Sequence, residues 1–89
     1  MIRRDVVIVN RLGLHARAAA KFVAAASRFG CSVRLEREGR GADAKSIMAV
    51  MMLAATRGAT VTLAADGPDE VAAIESLSTL IAGRFGEDE

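Results

Sequence analysis

Residues 13–23 read GLHARAAAKFV, which places a glycine and the chain's one histidine directly before a helical pattern. From Ala16 to Phe29, apolar residues recur at three- and four-residue spacing, the period of a helix with one buried face. Gly30 stands where a left-handed C-terminal cap is expected. The stretch therefore predicts a helix that begins at Ala16, with His15 at its N-terminus.

Short elements of alternating type are predicted on both sides of this helix. Strand patterns cover residues 6–10, 31–35 and 60–63, and a short strand ending at Ala44 follows the glycine-rich turn 38–41. Helical patterns cover residues 47–55, with Gly58 as a stop, and 68–81, with Pro68 at the first helical position. Residues 83–89 are expected to be a frayed acidic tail. This order of elements predicts an α+β fold in which helices cover one sheet face.

Composition and length exclude several classes of protein. The chain has 89 residues, of which 52% are hydrophobic and 26% charged, as in one small globular domain spanning residues 1–89. The longest apolar stretch has nine residues, at 47–55, where a membrane span needs roughly 20. A single cysteine excludes an internal disulfide and a cysteine-based zinc site. Together with the lack of a signal-peptide core, these features predict a cytoplasmic protein.

The charge is unevenly distributed along the chain. Residues 1–45 carry ten Lys or Arg and four Asp or Glu, whereas residues 46–89 carry two and seven, and the overall net charge is +1. A basic half is compatible with nucleic-acid binding or with a solvated surface. However, the chain has three Phe and no Trp or Tyr, so the aromatic platforms on which single strands stack are scarce. Nucleic acid is therefore not expected as a partner.

His15 and Arg17 are the candidates for chemistry. At a helix N-terminus the free backbone N–H groups and the helix dipole favour anions and disfavour an imidazolium. The ring is thus predicted to be neutral and nucleophilic, and Arg17 could fork onto a phosphate. The backbone N–H groups and Arg17 would together hold a phosphoryl group on this ring with moderate strength. The alternatives are that His15 merely caps or packs and that Arg17 is an exposed cation.

The second helical segment, which follows Ser46, offers a different kind of candidate. Ser46 is typical of an N-cap, and a phosphate there would add about −2 charge at the positive end of a helix. The methionines of the segment at positions 48, 51 and 52 are either core residues or an exposed patch suited to docking.

Other kinds of site are not indicated. The glycines form no phosphate-binding loop, and the single histidine has no partner for nucleophilic catalysis or metal binding. Cys31 is interpreted as a buried small hydrophobe. The sequence predicts no cofactor, no metal site and no self-sufficient enzyme.

Two motifs in register resemble a known family. The stretch 13–23 resembles the active-site signature of the HPr family, the histidine phosphocarriers of the bacterial phosphotransferase system. Residues 45–53, KSIMAVMML, resemble the regulatory serine segment of that family. The resemblance covers essentially the whole chain. It implies an open-faced β-sandwich, βαββαβα, with a four-stranded antiparallel sheet of order 1-4-2-3 and three helices on one face.

The resemblance also implies roles for individual residues. His15 would accept a phosphoryl group on Nδ1 from phosphorylated enzyme I, which takes it from phosphoenolpyruvate, and would pass it to IIA-type proteins. Arg17 and the backbone N–H groups of Ala16 and Arg17 would hold the phosphoryl group, and Ser46 would be the target of an HPr kinase/phosphorylase. The implied docking residues are Ala20, Lys21, Ile47, Met48, Met51 and Met52.

Within this family, several alternatives stay open. The protein could serve a sugar pathway or the nitrogen-related regulatory branch. It could also act mainly as a regulatory interaction module through Ser46. A monomer that does not bind membranes is expected in each case.

Overall fold

The computed structural model describes all residues, 1–89, and contains the predicted elements in the predicted order. They are β1 (Ile2–Val7), α1 (Ala16–Ala26), β2 (Ser32–Arg37), β3 (Arg40–Asp43), α2 (Ile47–Met52), β4 (Thr60–Asp66) and α3 (Glu70–Ala82), followed by a 3₁₀ turn, Arg84–Gly86. The strands form one antiparallel sheet of order β1-β4-β2-β3. The predicted fold class and strand order are therefore confirmed.

The core lies between the sheet and the helices. Alternate residues of the strands face it, as shown by the opposed pairs Val6 with Val61 and Leu35 with Leu63. From the other side, α1 contributes mainly alanines and Phe22, whereas α3 contributes larger side chains such as Ile74 and Leu77. None of the helices is long and apolar enough to cross a membrane.

The first strand was predicted too late in the chain. It was placed at residues 6–10, but β1 runs from Ile2 to Val7 and pairs with β4 over its whole length. The early part of the strand was not predicted because Arg3 and Asp5 are charged. Both side chains are exposed, and the Asp5 carboxylate accepts a hydrogen bond from the Thr62 hydroxyl across the pair at 2.7 Å. A sheet with one face in solvent accommodates such charges.

The end of the first helix was also predicted incorrectly. α1 ends at Ala26, and its C-cap is Ser27 in a right-handed conformation, so Gly30 is not a left-handed cap. Instead, the Asp69 carboxylate accepts hydrogen bonds from the backbone N–H groups of Gly30 (2.8 Å) and Cys31 (2.9 Å). These donors lower the pKa of Asp69. An acid distant in sequence thus fixes the turn between α1 and β2.

The third helix begins later than predicted. Pro68 was predicted at the first helical position, but the helix begins at Glu70 with Asp69 as its N-cap residue. The Asp69 side chain makes no capping bond to α3, since it is turned toward the α1–β2 connection.

The second helix is shorter than predicted. Its pattern extended to Ala55, but α2 ends at Met52, and Ala54 has a left-handed backbone (φ 52°). Arg37 donates to the carbonyl of Leu53 at 3.0 Å, and Arg40 donates to that of Met52 at 3.1 Å. Both arginines flank the β2–β3 turn, which is shorter than the predicted turn 38–41 because β3 begins at Arg40. Their guanidinium groups satisfy carbonyls that the short helix leaves free.

Cys31 lies directly before β2 rather than inside it, and it is 2% exposed. Burial raises the pKa of the thiol. The side chain is therefore the buried small hydrophobe that the sequence predicted, because a thiolate would be disfavoured there.

Candidate functional site

The turn before α1 is built around Asn10 and Gly13. Asn10 is fully buried, and its side-chain Nδ2 donates to the carbonyl of Gly13 at 2.8 Å. Gly13 has φ +67°, and a Cβ on it would lie 2.5 Å from the carbonyl oxygen of Ala55. That same carbonyl accepts the N–H of Leu14 at 2.9 Å. The turn is thus held against the segment after α2, in a conformation that only glycine adopts without strain.

This turn delivers His15 to the N-cap of α1, as predicted. Its backbone is extended (φ −71°, ψ 176°), and its carbonyl accepts the helical N–H of Ala19 at 2.8 Å. The imidazole makes no capping hydrogen bond and is 28% exposed. The N–H groups of Ala16 and Arg17 belong to the first turn, where intrahelical acceptors are lacking. The ring therefore lies beside a cluster of backbone donors.

The partner of the ring is Glu87, a residue that the sequence analysis assigned to a frayed tail. Glu87 Oε2 lies 2.5 Å from His15 Nε2, and Glu87 Oε1 accepts a hydrogen bond from Asn10 Nδ2 at 3.0 Å. The Glu87 side chain is 15% exposed. The prediction of a frayed tail is therefore wrong for Glu87, which is docked on the site.

The hydrogen bonds from Asn10 and then from His15 lower the pKa of Glu87, because they stabilise its charged form. The carboxylate therefore stabilises the folded state above its unfolded-state pKa. This contribution is lost as the pH falls through the lower, folded-state value. The Glu87 carboxylate also places a negative charge beside the ring, opposite in sign to the positive end of the helix dipole.

A reversal of the backbone brings Glu87 to the site. Arg84, Phe85 and Gly86 all have left-handed backbones, with φ of 59°, 54° and 77°. The Phe85 side chain is 1% exposed within the core, and its carbonyl accepts a hydrogen bond from Lys21 Nζ at 2.9 Å. Burial of this aromatic ring offsets the strain of two non-glycine residues in the left-handed region.

His15 opens onto a cavity of about 680 Å³ that is lined by residues 11, 12, 15–17 and 87–89. Arg17 is exposed there and makes no ion pair with the chain. Arg11, by contrast, pairs with the Glu89 carboxylate at 3.4 Å. Of the two arginines in this cavity, Arg17 is therefore the one whose guanidinium group is free to bind an external anion.

Ser46 and α2 form a second region of interest. Ser46 Oγ accepts the N–H of Ala49 at 3.2 Å, which confirms the predicted N-cap. Of the six residues of α2, only Val50 is buried. The exposed side chains define an apolar surface: Ile47 (44% exposed), Met48 (72%), Met51 (40%) and Met52 (63%). The methionines are therefore an exposed patch and not core residues.

Comparison with known proteins identifies the family of this chain. The family model described as "PTS HPr component phosphorylation site" matches residues 2–83. The chain belongs to the HPr family. The phosphocarrier protein HPr of Cupriavidus necator is 58% identical over 89 residues, all of both chains. That of Pseudomonas aeruginosa is 51% identical over 86 residues, 96% of each chain.

Solved structures of the HPr family share the fold. The crystal structure of HPr-C-His from Thermoanaerobacter tengcongensis superposes with a TM-score of 0.96 at 43% identity and covers all of both chains. The crystal structure of HPr from Bacillus anthracis gives a TM-score of 0.87 at 36% identity, over 90% of this chain and 95% of that one.

Asn10 and Glu87 lie outside the two motifs, residues 13–23 and 45–53, and neither was predicted as a site residue. Asn10 was included in a strand, whereas it is the buried donor that connects Gly13 to Glu87. The signal that could have revealed the docked tail is Phe85, a large apolar residue within an otherwise polar C-terminal segment. No group of three or more His, Cys, Asp or Glu side chains is arranged to hold a metal ion.

Proposed function

We propose that this member of the HPr family carries the phosphoryl group on Nδ1 of His15, receiving it from enzyme I and passing it to IIA-type proteins. The observation that carries the proposal is the position of the ring. It lies at the start of α1, partly exposed, in a cavity that it shares with Arg17. Because Glu87 contacts Nε2, Nδ1 is the ring nitrogen left for the phosphoryl group. The protein is proposed to act in the cytoplasm as a stoichiometric carrier.

The surroundings of His15 suit a labile phosphohistidine. In the first turn of α1 the backbone N–H groups and the helix dipole face incoming negative charge, an interaction of roughly 0.3–2 kcal/mol. The Arg17 guanidinium can add a bidentate contact to phosphate oxygens. Stabilisation of this size holds the group without trapping it, which is what transfer to a second protein requires.

Replacing His15 by alanine is expected to abolish phosphorylation. Incubated with enzyme I and phosphoenolpyruvate, the unaltered protein should gain the mass of one acid-labile phosphate, and His15→Ala should gain none. Arg17→Ala is a useful companion, since it keeps the imidazole but removes the cation, and it should slow the gain without preventing it. Equal phosphorylation of His15→Ala would refute the proposal.

A second proposed role is regulation through Ser46, by phosphorylation by an HPr kinase/phosphorylase. Support comes from its place at the N-cap of α2, directly before the exposed side chains of Ile47 and Met48. A phosphate there would add about −2 charge beside the apolar surface. Docking of an acidic partner would then be weakened by repulsion. The same surface, with Ala20 and Lys21, is the proposed docking face for enzyme I and IIA-type proteins.

Substituting Ser46 by aspartate is expected to weaken binding to enzyme I by about tenfold, since like charge at an interface opposes association. Binding should be measured by calorimetry at two salt concentrations, with the weakening smaller at the higher one. Ser46→Ala is the matched control, because it removes the hydroxyl without adding charge. If Ser46→Asp and Ser46→Ala bind equally well, the electrostatic account of regulation fails.

A further inference from the structure

The contact between His15 and Glu87 belongs to a chain of hydrogen bonds that leaves little freedom to the groups involved. Asn10 is fully buried, and both of its side-chain contacts, the Gly13 carbonyl and Glu87 Oε1, are acceptors. The NH₂ group of the amide must therefore face them, which fixes the orientation of the side chain. Glu87 Oε1 is thereby engaged, and Oε2 is the oxygen directed at His15.

The orientation of Glu87 in turn determines which nitrogen of a neutral imidazole carries the proton. A carboxylate can only accept hydrogen bonds, so the ring nitrogen in contact with Oε2 must be the donor. That nitrogen is Nε2. In the neutral ring the proton then lies on Nε2, and the free lone pair lies on Nδ1.

We propose that Glu87 is a positioning residue for phosphoryl transfer, which accepts a hydrogen bond from the Nε2–H of His15 and so presents the Nδ1 lone pair to the phosphoryl donor. This inference rests on the proposed function of His15 and adds to it a residue outside the two sequence motifs. Glu87 does not touch the phosphoryl group. It acts through the ring, much as a buried carboxylate orients a catalytic histidine in a triad.

The transfer step balances with Glu87 in this role. The Nδ1 lone pair forms the new bond to phosphorus while the bond from phosphorus to the donor atom breaks, and the donor atom keeps that electron pair. The proton on Nε2 remains on the ring throughout. As the N–P bond forms, positive charge develops on the imidazole, and the carboxylate on the opposite side of the ring stabilises it.

The test compares Glu87→Gln with Glu75→Gln, both in the full-length chain. Glutamine has nearly the shape of glutamate but cannot accept from both Asn10 Nδ2 and His15 Nε2, because its NH₂ group must face one of these two donors. Glu75 is an exposed acid of α3 that does not line the cavity beside His15. Removal of its charge therefore controls for the general electrostatic effect. Glu87→Ala serves as a second full-length variant that removes the side-chain carboxylate altogether.

Two measurements are needed, since a merely structural role would not change both. With enzyme I and phosphoenolpyruvate, Glu87→Gln and Glu87→Ala should lower kcat about tenfold and leave KM unchanged, the scale of one hydrogen bond to a charged group. Glu75→Gln should have the kcat of the unaltered protein. In ¹⁵N NMR spectra of the neutral ring, the unaltered protein should show Nε2 protonated. Both Glu87 variants should shift toward the tautomer mixture of free histidine.

The outcomes separate this inference from the proposed function. If the unaltered protein is not phosphorylated on His15, the proposed function fails, whatever the NMR spectra show. If His15 is phosphorylated but Glu87→Gln matches Glu75→Gln in kcat, the positioning role is overturned and the carrier function stands. A lower kcat without a change in the tautomer, or a higher kcat, also overturns it.

Discussion

Replacing Gly13 by alanine is expected to lower the free energy of unfolding by about 3 kcal/mol, through a left-handed backbone and an overpacked contact. The added Cβ would lie 2.5 Å from the Ala55 carbonyl oxygen and 2.9 Å from the Thr56 Cα. Both atoms are backbone, so neither can move away as the end of a flexible side chain would. Urea denaturation monitored by circular dichroism measures the loss.

Gly39 provides the matched control for this prediction. It also has a left-handed backbone, with φ +79°, but a Cβ on it would meet no atom within 4 Å. Gly39→Ala should therefore lose about 1 kcal/mol, the conformational part alone. Equal losses for the two variants would show that the close approach of Gly13 to the segment after α2 does not contribute to stability.

Replacing Phe85 by alanine is expected to cost about 3–5 kcal/mol, the usual range for a fully buried phenylalanine. Its ring is 1% exposed, and it anchors the reversal that leads to Glu87. Loss of the ring would therefore also release Glu87 from His15. Urea denaturation gives the loss of stability, and the NMR signals of the His15 ring report the release.

Phe85→Leu separates the loss of stability from the release of Glu87. Leucine keeps an apolar side chain in the core, so the variant should lose clearly less stability than Phe85→Ala and should keep the contact between Glu87 and His15. A loss below about 1 kcal/mol for Phe85→Ala would contradict a packed tail, since surface substitutions stay within ±0.5 kcal/mol.

The sequence predicted most of the fold because the apolar periodicity of its segments is local. The helical spacing after His15 and the alternation in residues 31–35 gave the order of the elements, and the N-cap at Ser46 followed from its residue type. The β1 boundary was missed because Arg3 and Asp5 look polar in isolation, although they lie on the solvent face of a paired strand.

The site was predicted only in part, because half of it comes from a distant segment. His15 and Arg17 are neighbours in the sequence, and a helix start explains both. The bond from Asn10 to Glu87 joins residues 77 positions apart, and that from His15 to Glu87 spans 72. No periodicity or motif within either segment indicates such contacts, which become visible once the reversal at Phe85 is known.

The two arginines beside the β2–β3 turn have a consequence for recognition. A helix of six residues does not persist on its own in water, because nucleation is too costly for so few hydrogen bonds. Arg37 and Arg40 hold the carbonyls at its end, so the shape of α2 is inherited from a hairpin at the sheet edge. A change at either arginine is therefore expected to alter the shape of the apolar surface without altering any residue of α2 itself.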